Sequence, residues 1–530
     1  MMPSLARVAR AVIAAILIVL GMAAASAAAA DLRIGRSNEP SSLDPQFSRT
    51  GNNLMTAQDM FDRLIENDAN LQTHPALAVS WKTIDPLTWE VKLREGVRFH
   101  DGSPFTADDV VFSMERAGKI PNSPAPFSGS VRGIAGMTVV DAHTIRFRTK
   151  QPTPEFIEQI GRVYIVSKKV AEGKRSEDFT SPAVAVGTGP YKLREFVPAD
   201  HLTLVRNDAY WGKKPAFDNV TIKFITNDAA RVAALKSGAV DLIDSVPPAD
   251  LKFVEKSAGL HLYSTPSARI IYLALDASRD PTPFVVGADG KPLSPNPLRN
   301  PKVRLALSKL INRPLIVSRV LDGAGEPAGQ LVPEGVLGYA PDLKAEAYDP
   351  AGAKALLAEA GYKDGFGITL HTSNDRFFGD KDIAQAIGQM FARGGLKVRG
   401  VVAQPYNVYA SAATRRDYSV FIFSFGTTTP SSSFALVNVL ETYDKAAGTG
   451  AFNRMRYSNP AFDAALTKAL QAFDDHERGR LLADATRIAM KDTALVPLYW
   501  PKLYWATRGK VTYVPGKDED TRASLAGLAP

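Results

Sequence analysis

The side chains that most often bind metals or perform acid–base catalysis are scattered through this sequence. Its seven histidines occupy positions 74, 100, 143, 201, 261, 371 and 476, so none lies two to four residues from another, as a local zinc-binding pair would. The absence of cysteine excludes thiol nucleophiles. The motifs G-x-S-x-G, G-x-x-x-x-G-K-[ST] and H-E-x-x-H are also absent. The sequence therefore predicts no enzyme active site, no cofactor and no resident metal.

One adjacent acidic pair, Asp108 and Asp109, could be mistaken for a metal-binding dyad. The pair belongs to the segment Thr106-Ala-Asp-Asp109, which has the pattern of a capping box at the start of a helix. Adjacent residues in a helical turn point apart, and carboxylates in the first turn complement the helix dipole. We therefore predict that these residues cap a helix.

A polar loop with the sequence FGTTTPSSSF, residues 425–434, is the clearest candidate for contact with a small ligand. It follows Val420-Phe-Ile-Phe423, an apolar run typical of a central parallel strand. Ligands of open α/β sheets bind outside the carboxyl ends of such strands. Phe425, Thr427 and Thr428 are therefore candidate ligand contacts, and the alternative is that the loop is a plain polar turn.

Three more side chains have the chemistry of ligand contacts. Arg376 comes just after a predicted strand that ends at His371, and its guanidinium could pair with a carboxylate or phosphate. The alternative is that this arginine is only solvated. Tyr499 and Trp500 are amphipathic rings that could stack on a ligand or pack in the core.

These candidates need a scaffold, and the second half of the chain predicts a parallel sheet. Strands alternate there with segments of helical periodicity in the order β-α-β-α-β. The predicted elements are the strands 368–371, 398–402 and 420–425 and the helices 383–391 and 406–414.

The first half predicts another α/β unit. A strand at 220–225, a helix capped by Asn227 and ended by Gly238, and a strand at 241–243 have the lengths of a parallel crossover. A short strand at 31–34, a helix from Thr56 to Asn67 and an apolar strand at 270–275 are also predicted. Residues 72–186, rich in antiparallel strands, indicate an inserted α+β subdomain.

The N-terminal sequence and the composition indicate where in the cell the protein is located. Arg7 and Arg10 precede an apolar run that ends in Ala28-Ala-Ala30, so residues 1–30 are expected to be a cleavable signal peptide, the alternative being a retained anchor. A chain without cysteine has no disulfides and no lipid-modified cysteine. The net charge of +8 is spread along the chain, which argues against nucleic-acid binding. We expect a freely diffusing periplasmic protein.

Several motifs carry a resemblance that extends almost from end to end. The sequence resembles family 5 solute-binding proteins of ABC importers, the peptide- and nickel-binding group. The motifs that carry it are Leu43-Asp-Pro-Gln46, Phe99-His-Asp-Gly102, Phe105-Thr-Ala-Asp-Asp-Val110, Gly187-Thr-Gly-Pro-Tyr191, Tyr210-Trp-Gly212 and Arg456-Tyr-Ser-Asn-Pro460.

The resemblance implies an α/β periplasmic binding protein fold of type II, with two lobes and a hinge. The first lobe is expected over 31–285, with the inserted subdomain at about 72–186, the second over 286–490, and a return to the first lobe over 491–530. Ser48, Arg49 and Asn52 would then face the cleft. Family members that bind free peptides usually have an aspartate in the 425–434 loop that pairs with the peptide ammonium. Here Thr427 stands at that position, and the sequence has no acidic residue between Asp417 and Glu441.

The predicted function is a binding protein that captures a short peptide or peptide-like solute and delivers it to an inner-membrane ABC permease. We expect a monomer whose Arg376 takes part in recognition. One alternative ligand is a chelated metal of the nickel type, whose chelator would meet arginine and aromatic side chains. An exported hydrolase is the alternative outside this class.

Overall fold

The computed structural model describes residues 30–374, 376–427 and 429–530. The predicted signal peptide therefore lies outside the described residues except for Ala30, and so does the predicted contact Thr428. No helix in the described part of the chain is both long and apolar enough to cross a bilayer.

Strands and helices alternate along the chain. The strands are β1 (Asp31–Arg36), β2 (Ile65–Asn67), β3 (Thr73–Pro75), β4 (Ala78–Asp85), β5 (Thr88–Leu93), β6 (Ile134–Asp141), β7 (Thr144–Thr149), β8 (Tyr191–Val197), β9 (His201–Arg206), β10 (Asn219–Phe224), β11 (Leu242–Ile243), β12 (Leu260–Pro266), β13 (Arg269–Leu275), β14 (Val285–Val286), β15 (Gly325–Pro327), β16 (Gly367–Ser373), β17 (Lys397–Gln404), β18 (Val420–Gly426), β19 (Val496–Arg508), β20 (Val511–Tyr513) and β21 (Ala526–Leu528). The α-helices are α1 (Gly51–Met60), α2 (Ala107–Ala117), α3 (Ser128–Val131), α4 (Phe156–Ile160), α5 (Lys168–Ala171), α6 (Asp228–Ser237), α7 (Leu251–Lys256), α8 (Pro301–Lys309), α9 (Arg313–Arg319), α10 (Pro350–Glu359), α11 (Asp380–Arg393), α12 (Tyr406–Arg415), α13 (Ser433–Ala435), α14 (Pro460–Gln471) and α15 (Asp475–Lys491).

The first lobe is built on a mixed sheet around β1. Strands β10 and β11 lie parallel to β1 on either side of it, and α6 connects them. The Asn227 side chain accepts a hydrogen bond from the Ala230 N–H at the start of α6, and Gly238 ends the helix with φ of 79°. The parallel crossover predicted from the caps and lengths is therefore confirmed.

The second lobe is built on the predicted β-α-β-α-β segment. Strand β16 lies parallel to both β17 and β18, and β18 pairs on its other side with β13. Phe421, Phe423 and Phe425 point into one hydrophobic core, and Val420 and Ile422 point into the core on the opposite face. Strand β18 is therefore buried on both faces, as its apolar run predicts.

A separate antiparallel sheet in the order β4-β5-β7-β6 lies within the predicted inserted subdomain. Helix α2 begins with the predicted capping box, in which the Thr106 N–H donates to the Asp109 carboxylate at 2.9 Å. The other oxygen of Asp109 accepts the Lys168 N–H at 2.9 Å. This carboxylate therefore satisfies backbone donors of two helix starts, and the capping prediction is confirmed.

The helix predicted over Thr56–Asn67 is wrong in position. Helix α1 ends at Met60, and Ile65 begins strand β2. Phe61, Leu64 and Ile65 are buried as expected, but their spacing is compatible both with a helix and with the observed turn and strand. The chain leaves the helix where Gly187 and Gly189 press against Met60, since a Cβ on Gly187 would lie 2.1 Å from the Met60 carbonyl oxygen.

Two crossings join the lobes. The chain leaves the first sheet after β12 and enters the second at β13 through Ser267 and Ala268. It returns within β19, whose residues 496–499 pair with β13 and whose residues 502–508 pair with β12. Strand β13, expected in the first lobe, is thus paired in the second sheet. The two strands expected at 494–499 and 503–506 form one continuous strand.

Candidate functional site

A large cavity lies where the lobes meet and has a volume of about 1260 Å³. Arg49 and Tyr164 line it from the first lobe, and Phe425 and Phe434 line it from the second. Residues of β19 on both sides of the crossing, among them Tyr499 and Trp505, complete the lining. The cavity is large enough for a ligand of several residues.

Five predicted contacts line this cavity: Arg49, Asn52, Arg376, Phe425 and Tyr499. Of these, Phe425 and Tyr499 are mostly buried, being 8% and 2% exposed. The Asn52 amide already donates to the Glu39 carbonyl oxygen at 2.7 Å. The charged groups of Arg49 and Arg376 are therefore the strongest of the predicted contacts.

Three predicted contacts do not line the cavity. Ser48 is buried, and its hydroxyl is 3.1 Å from that of Thr50, so it shapes the loop before α1. Thr427 is fully buried, and its N–H donates to the Ala268 carbonyl oxygen at 3.1 Å beside the hinge. Trp500 belongs to the second-lobe core, as the packing alternative for this residue states.

Two arginines that the sequence analysis missed stand beside Arg49 in the cavity wall. Arg63 follows α1 and lies over the Tyr164 ring at 5.4 Å. Arg162 follows α4 and lies over the Phe434 ring of the second lobe at 4.5 Å. Burial, and then the positive charge of Arg49, lower the pKa of Arg162 to about 10. Three half-buried guanidinium groups thus share one wall.

The sequence carries only an indirect signal for Arg162, the preceding glycine. A Cβ on Gly161 would lie 2.3 Å from the Ile65 side chain and 2.6 Å from the Ile157 carbonyl oxygen. Only glycine fits at this turn, which ends α4 and sets the following arginine at the cavity.

An acidic segment from the C-terminal part of the chain also lines the cavity, and the sequence analysis missed it. It comprises Asp518, Glu519 and Asp520. Glu519 accepts from the Arg269 guanidinium at 2.9 Å, and although burial opposes ionisation, Arg269 holds the pKa of Glu519 below its ordinary value. Burial, and then the neighbouring Asp518, raise the pKa of Asp520 to about 8. The segment therefore combines an ionised and a mostly protonated carboxyl group at neutral pH.

Direct contacts between the lobes stand next to the cavity. The Ser433 hydroxyl of the second lobe donates to Glu155 of the first lobe at 2.6 Å. Arg478 lies 3.5 Å from the other oxygen of Glu155, and both side chains are largely buried. The Trp89 ring stacks on Phe473 with ring centroids 6.4 Å apart. The lobes therefore meet along an edge as well as through the hinge.

A family model described as "Bacterial extracellular solute-binding proteins, family 5 Middle" matches residues 72–447. The chain belongs to this family. The glutathione-binding protein GsiB of Salmonella typhimurium strain LT2 is 28% identical over 506 residues, which are 93% of this chain and 94% of that protein. GsiB of Escherichia coli K12 is 28% identical over 499 residues, 93% of each protein.

Solved structures of family 5 binding proteins show the same fold. DppA from Helicobacter pylori, in complex with the peptide STSA, has a TM-score of 0.76 and 24% identity, covering 94% of this chain and 98% of that one. NikZ from Campylobacter jejuni, in complex with Ni(L-His), has a TM-score of 0.75 and 21% identity, covering 94% and 99%. The predicted two-lobe fold of type II is confirmed, and this family 5 member is a solute-binding protein of the ABC importer class.

Proposed function

We propose that this solute-binding protein captures a short peptide or peptide-like solute in the interlobe cavity and delivers it to an inner-membrane permease. The observation that carries the proposal is the cavity wall, which presents guanidinium groups at Arg49, Arg63, Arg162 and Arg376 and carboxyl groups at 518–520. A peptide has charges of both signs and needs both kinds of partner when it leaves water. Relatives that bind glutathione and the peptide STSA support this choice.

The acidic segment 518–520 offers a replacement for the aspartate that the 425–434 loop lacks. Asp520 accepts a hydrogen bond from Gln58 and is mostly protonated at pH 7 because burial raises its pKa. A ligand ammonium placed beside it would favour the ionised form and lower that pKa. We therefore assign the ammonium side of the ligand to this segment.

The strand pairing supports a revised division of the chain. The first lobe consists of residues 31–266 and 502–530, with the inserted subdomain at about 72–186, and the second lobe of residues 269–499. Ligand binding shifts the lobes toward the closed arrangement only if the ligand contacts both of them. Arg49 and Arg376, on opposite lobes, meet that requirement.

The export of this protein and its oligomeric state are also open to test. We propose that residues 1–30 are a cleavable signal peptide and that the mature protein is a periplasmic monomer without a lipid anchor. The intact mass of protein taken from the periplasm tests this, because cleavage after Ala30 gives a chain that begins at Asp31. Sedimentation of the same sample tests the monomer.

The direct test is native mass spectrometry of the periplasmic protein, followed by denaturation and identification of the released molecule. A peptide mass, reproduced by calorimetric titration with the synthetic compound, is the expected result. A nickel chelate would instead establish the metal alternative, since NikZ shows that this fold accepts one. Release of hydrolysed products with turnover would overturn the binding-protein proposal in favour of the hydrolase.

A further inference from the structure

The three arginines of the first-lobe wall, Arg49, Arg63 and Arg162, have no acidic partner among the described residues. No carboxylate of the described residues lies within 4.0 Å of any of the three guanidinium groups, and none of them donates a side-chain hydrogen bond to a described residue. The Nε atoms of Arg49 and Arg162 are buried without a hydrogen-bond partner in the described part of the chain. Buried donors of this kind are costly unless a partner arrives.

Three acidic residues of the same cavity have arginine partners. Asp518 binds Arg522 at 3.0 Å, Glu519 binds Arg269 at 2.9 Å, and Asp228 binds Arg231 at 2.7 Å. These carboxylates are therefore already compensated by partners of their own. Arg49, Arg63 and Arg162 have no such partner among the described residues, and they share one wall.

An acidic side chain close to that wall does not neutralise it. Glu158 lies one helical turn before Arg162 and lines the cavity, but no guanidinium of the described residues is within ion-pair distance of it. Burial raises the pKa of Glu158 to about 7, so the carboxyl group is only partly ionised at neutral pH. Glu155 and Glu158 both favour the charged form of Arg162, but no carboxylate of the described residues is within ion-pair distance of the wall. Three like charges held close together without a direct carboxylate partner form a binding site for an anion.

Two of the three guanidinium groups in the wall lie over aromatic rings. Arg162 lies against Phe434 of the opposite lobe, and Arg63 lies against Tyr164. Each ring restrains the guanidinium that it contacts, which lowers the entropy lost when a carboxylate binds. Because Phe434 belongs to the second lobe, Arg162 is in this position only when the lobes are together.

We infer that the arginine wall is a subsite for a second ligand carboxylate, so that the preferred solute is an acidic peptide with a carboxylate beyond its terminal one. This inference rests on the proposed function and narrows its ligand class. The terminal carboxylate alone needs one arginine fork, whereas three guanidinium groups suit two carboxylates. Within the acidic segment 518–520, Asp520 has no ion-pair partner among the described residues and remains available for the ammonium.

The test compares tripeptides that differ only in charge. Glu-Ala-Ala, Ala-Glu-Ala and Ala-Ala-Glu are each titrated against their glutamine counterparts by calorimetry, with the wild-type protein and the variants Arg162→Gln and Arg49→Gln. For at least one position we expect the glutamate peptide to bind roughly tenfold to a hundredfold tighter than its glutamine counterpart, the effect of charge-assisted hydrogen bonds. Each variant should remove most of that preference, so the ratio of the two affinities should fall toward one even where the affinity for both peptides falls.

The control is Arg175→Gln, which removes an arginine whose side chain is 80% exposed on the same lobe and outside the cavity. It should leave every affinity unchanged. Thermal unfolding of the ligand-free variants separates binding from structure, because relief of repulsion at Arg162 should keep or raise the unfolding temperature. A structural arginine would lower it.

The remaining outcomes each decide something. Equal binding of glutamate and glutamine peptides by the wild type overturns the inference and leaves the proposed function intact. A preference for glutamate that persists in both variants also overturns it, because the carboxylate is then bound elsewhere. Failure of every peptide to bind removes the proposed function itself.

Discussion

The contact of Glu155 with the opposite lobe provides a quantitative test of closure. In the described structure Ser433 donates to Glu155 at 2.6 Å, and Arg478 lies 3.5 Å from its other oxygen. A hydrogen bond to a charged group contributes about 1.5–3 kcal/mol when its partners are buried. Because Glu155 and Ser433 belong to different lobes, the variant Glu155→Ala removes this contribution from the closed arrangement alone.

The expected loss is about 2 kcal/mol, which corresponds to roughly 30-fold weaker ligand binding. Arg478 keeps its bonds to Asp475 and to the Ala472 carbonyl oxygen in the second lobe, so it is not left without a partner. Calorimetric titration with the solute identified by mass spectrometry measures the affinity. Small-angle scattering of the ligand-free variant should show a larger radius of gyration than that of the wild type.

The matched control is Asp475→Ala. Asp475 pairs with the same arginine but within the second lobe, and its side chain is 79% exposed. An exposed ion pair contributes less than about 1 kcal/mol, and this pair does not cross the cleft, so affinity should change less than about threefold. If Glu155→Ala binds as tightly as the wild type with an unchanged radius of gyration, the contact does not stabilise closure and the reasoning is refuted.

Three further predictions concern stability. Asp520 keeps its proton to about pH 8 in the folded protein and releases it near pH 4 in the unfolded chain, so the wild type should lose up to about 1.4 kcal/mol of stability per pH unit between pH 5 and 7. Urea unfolding at several pH values should show a shallower loss of stability for Asp520→Asn. Parallel stability curves for the two proteins would contradict this. Asp109→Ala should lower the free energy of unfolding by about 1–2 kcal/mol because two helix starts lose their acceptor. Asp108 is adjacent and exposed, so Asp108→Ala should change the free energy of unfolding by less than about 0.5 kcal/mol. Equal losses in the two variants would disprove the capping role. Thr427→Val should leave the ligand affinity unchanged. It should also keep or raise the unfolding temperature, because the buried Thr427 hydroxyl has no hydrogen-bond partner among the described residues. A tenfold loss of ligand affinity would instead indicate that Thr427 contacts the ligand.

The elements that the sequence predicts well are those fixed by interactions between neighbours. Asn227 and Gly238 delimit α6, and Thr106 and Asp109 start α2, because each cap acts within a few residues of the helix end. The end of α1 is different. It depends on Gly187, more than a hundred residues away, packing against Met60, and no local pattern carries that information.

Some residues of the candidate site could likewise be predicted from the sequence, and others could not. Arg49 and Phe425 could be proposed from motifs and from the rule for strand ends, and the cavity contains both. The acidic segment 518–520 and Arg162 could not, because only the tertiary fold brings them next to Arg49. Trp500 illustrates an ambiguity, since an aromatic residue near the hinge can pack or stack, and this one lies in the second-lobe core.

The continuous strand β19 has a consequence for the order of synthesis. Both sheets contain residues of this strand, and it lies within the last thirty-five residues of the chain. Neither sheet can therefore be complete until the chain has been synthesised as far as Arg508. One segment therefore completes both sheets, so neither lobe can finish its sheet before the other.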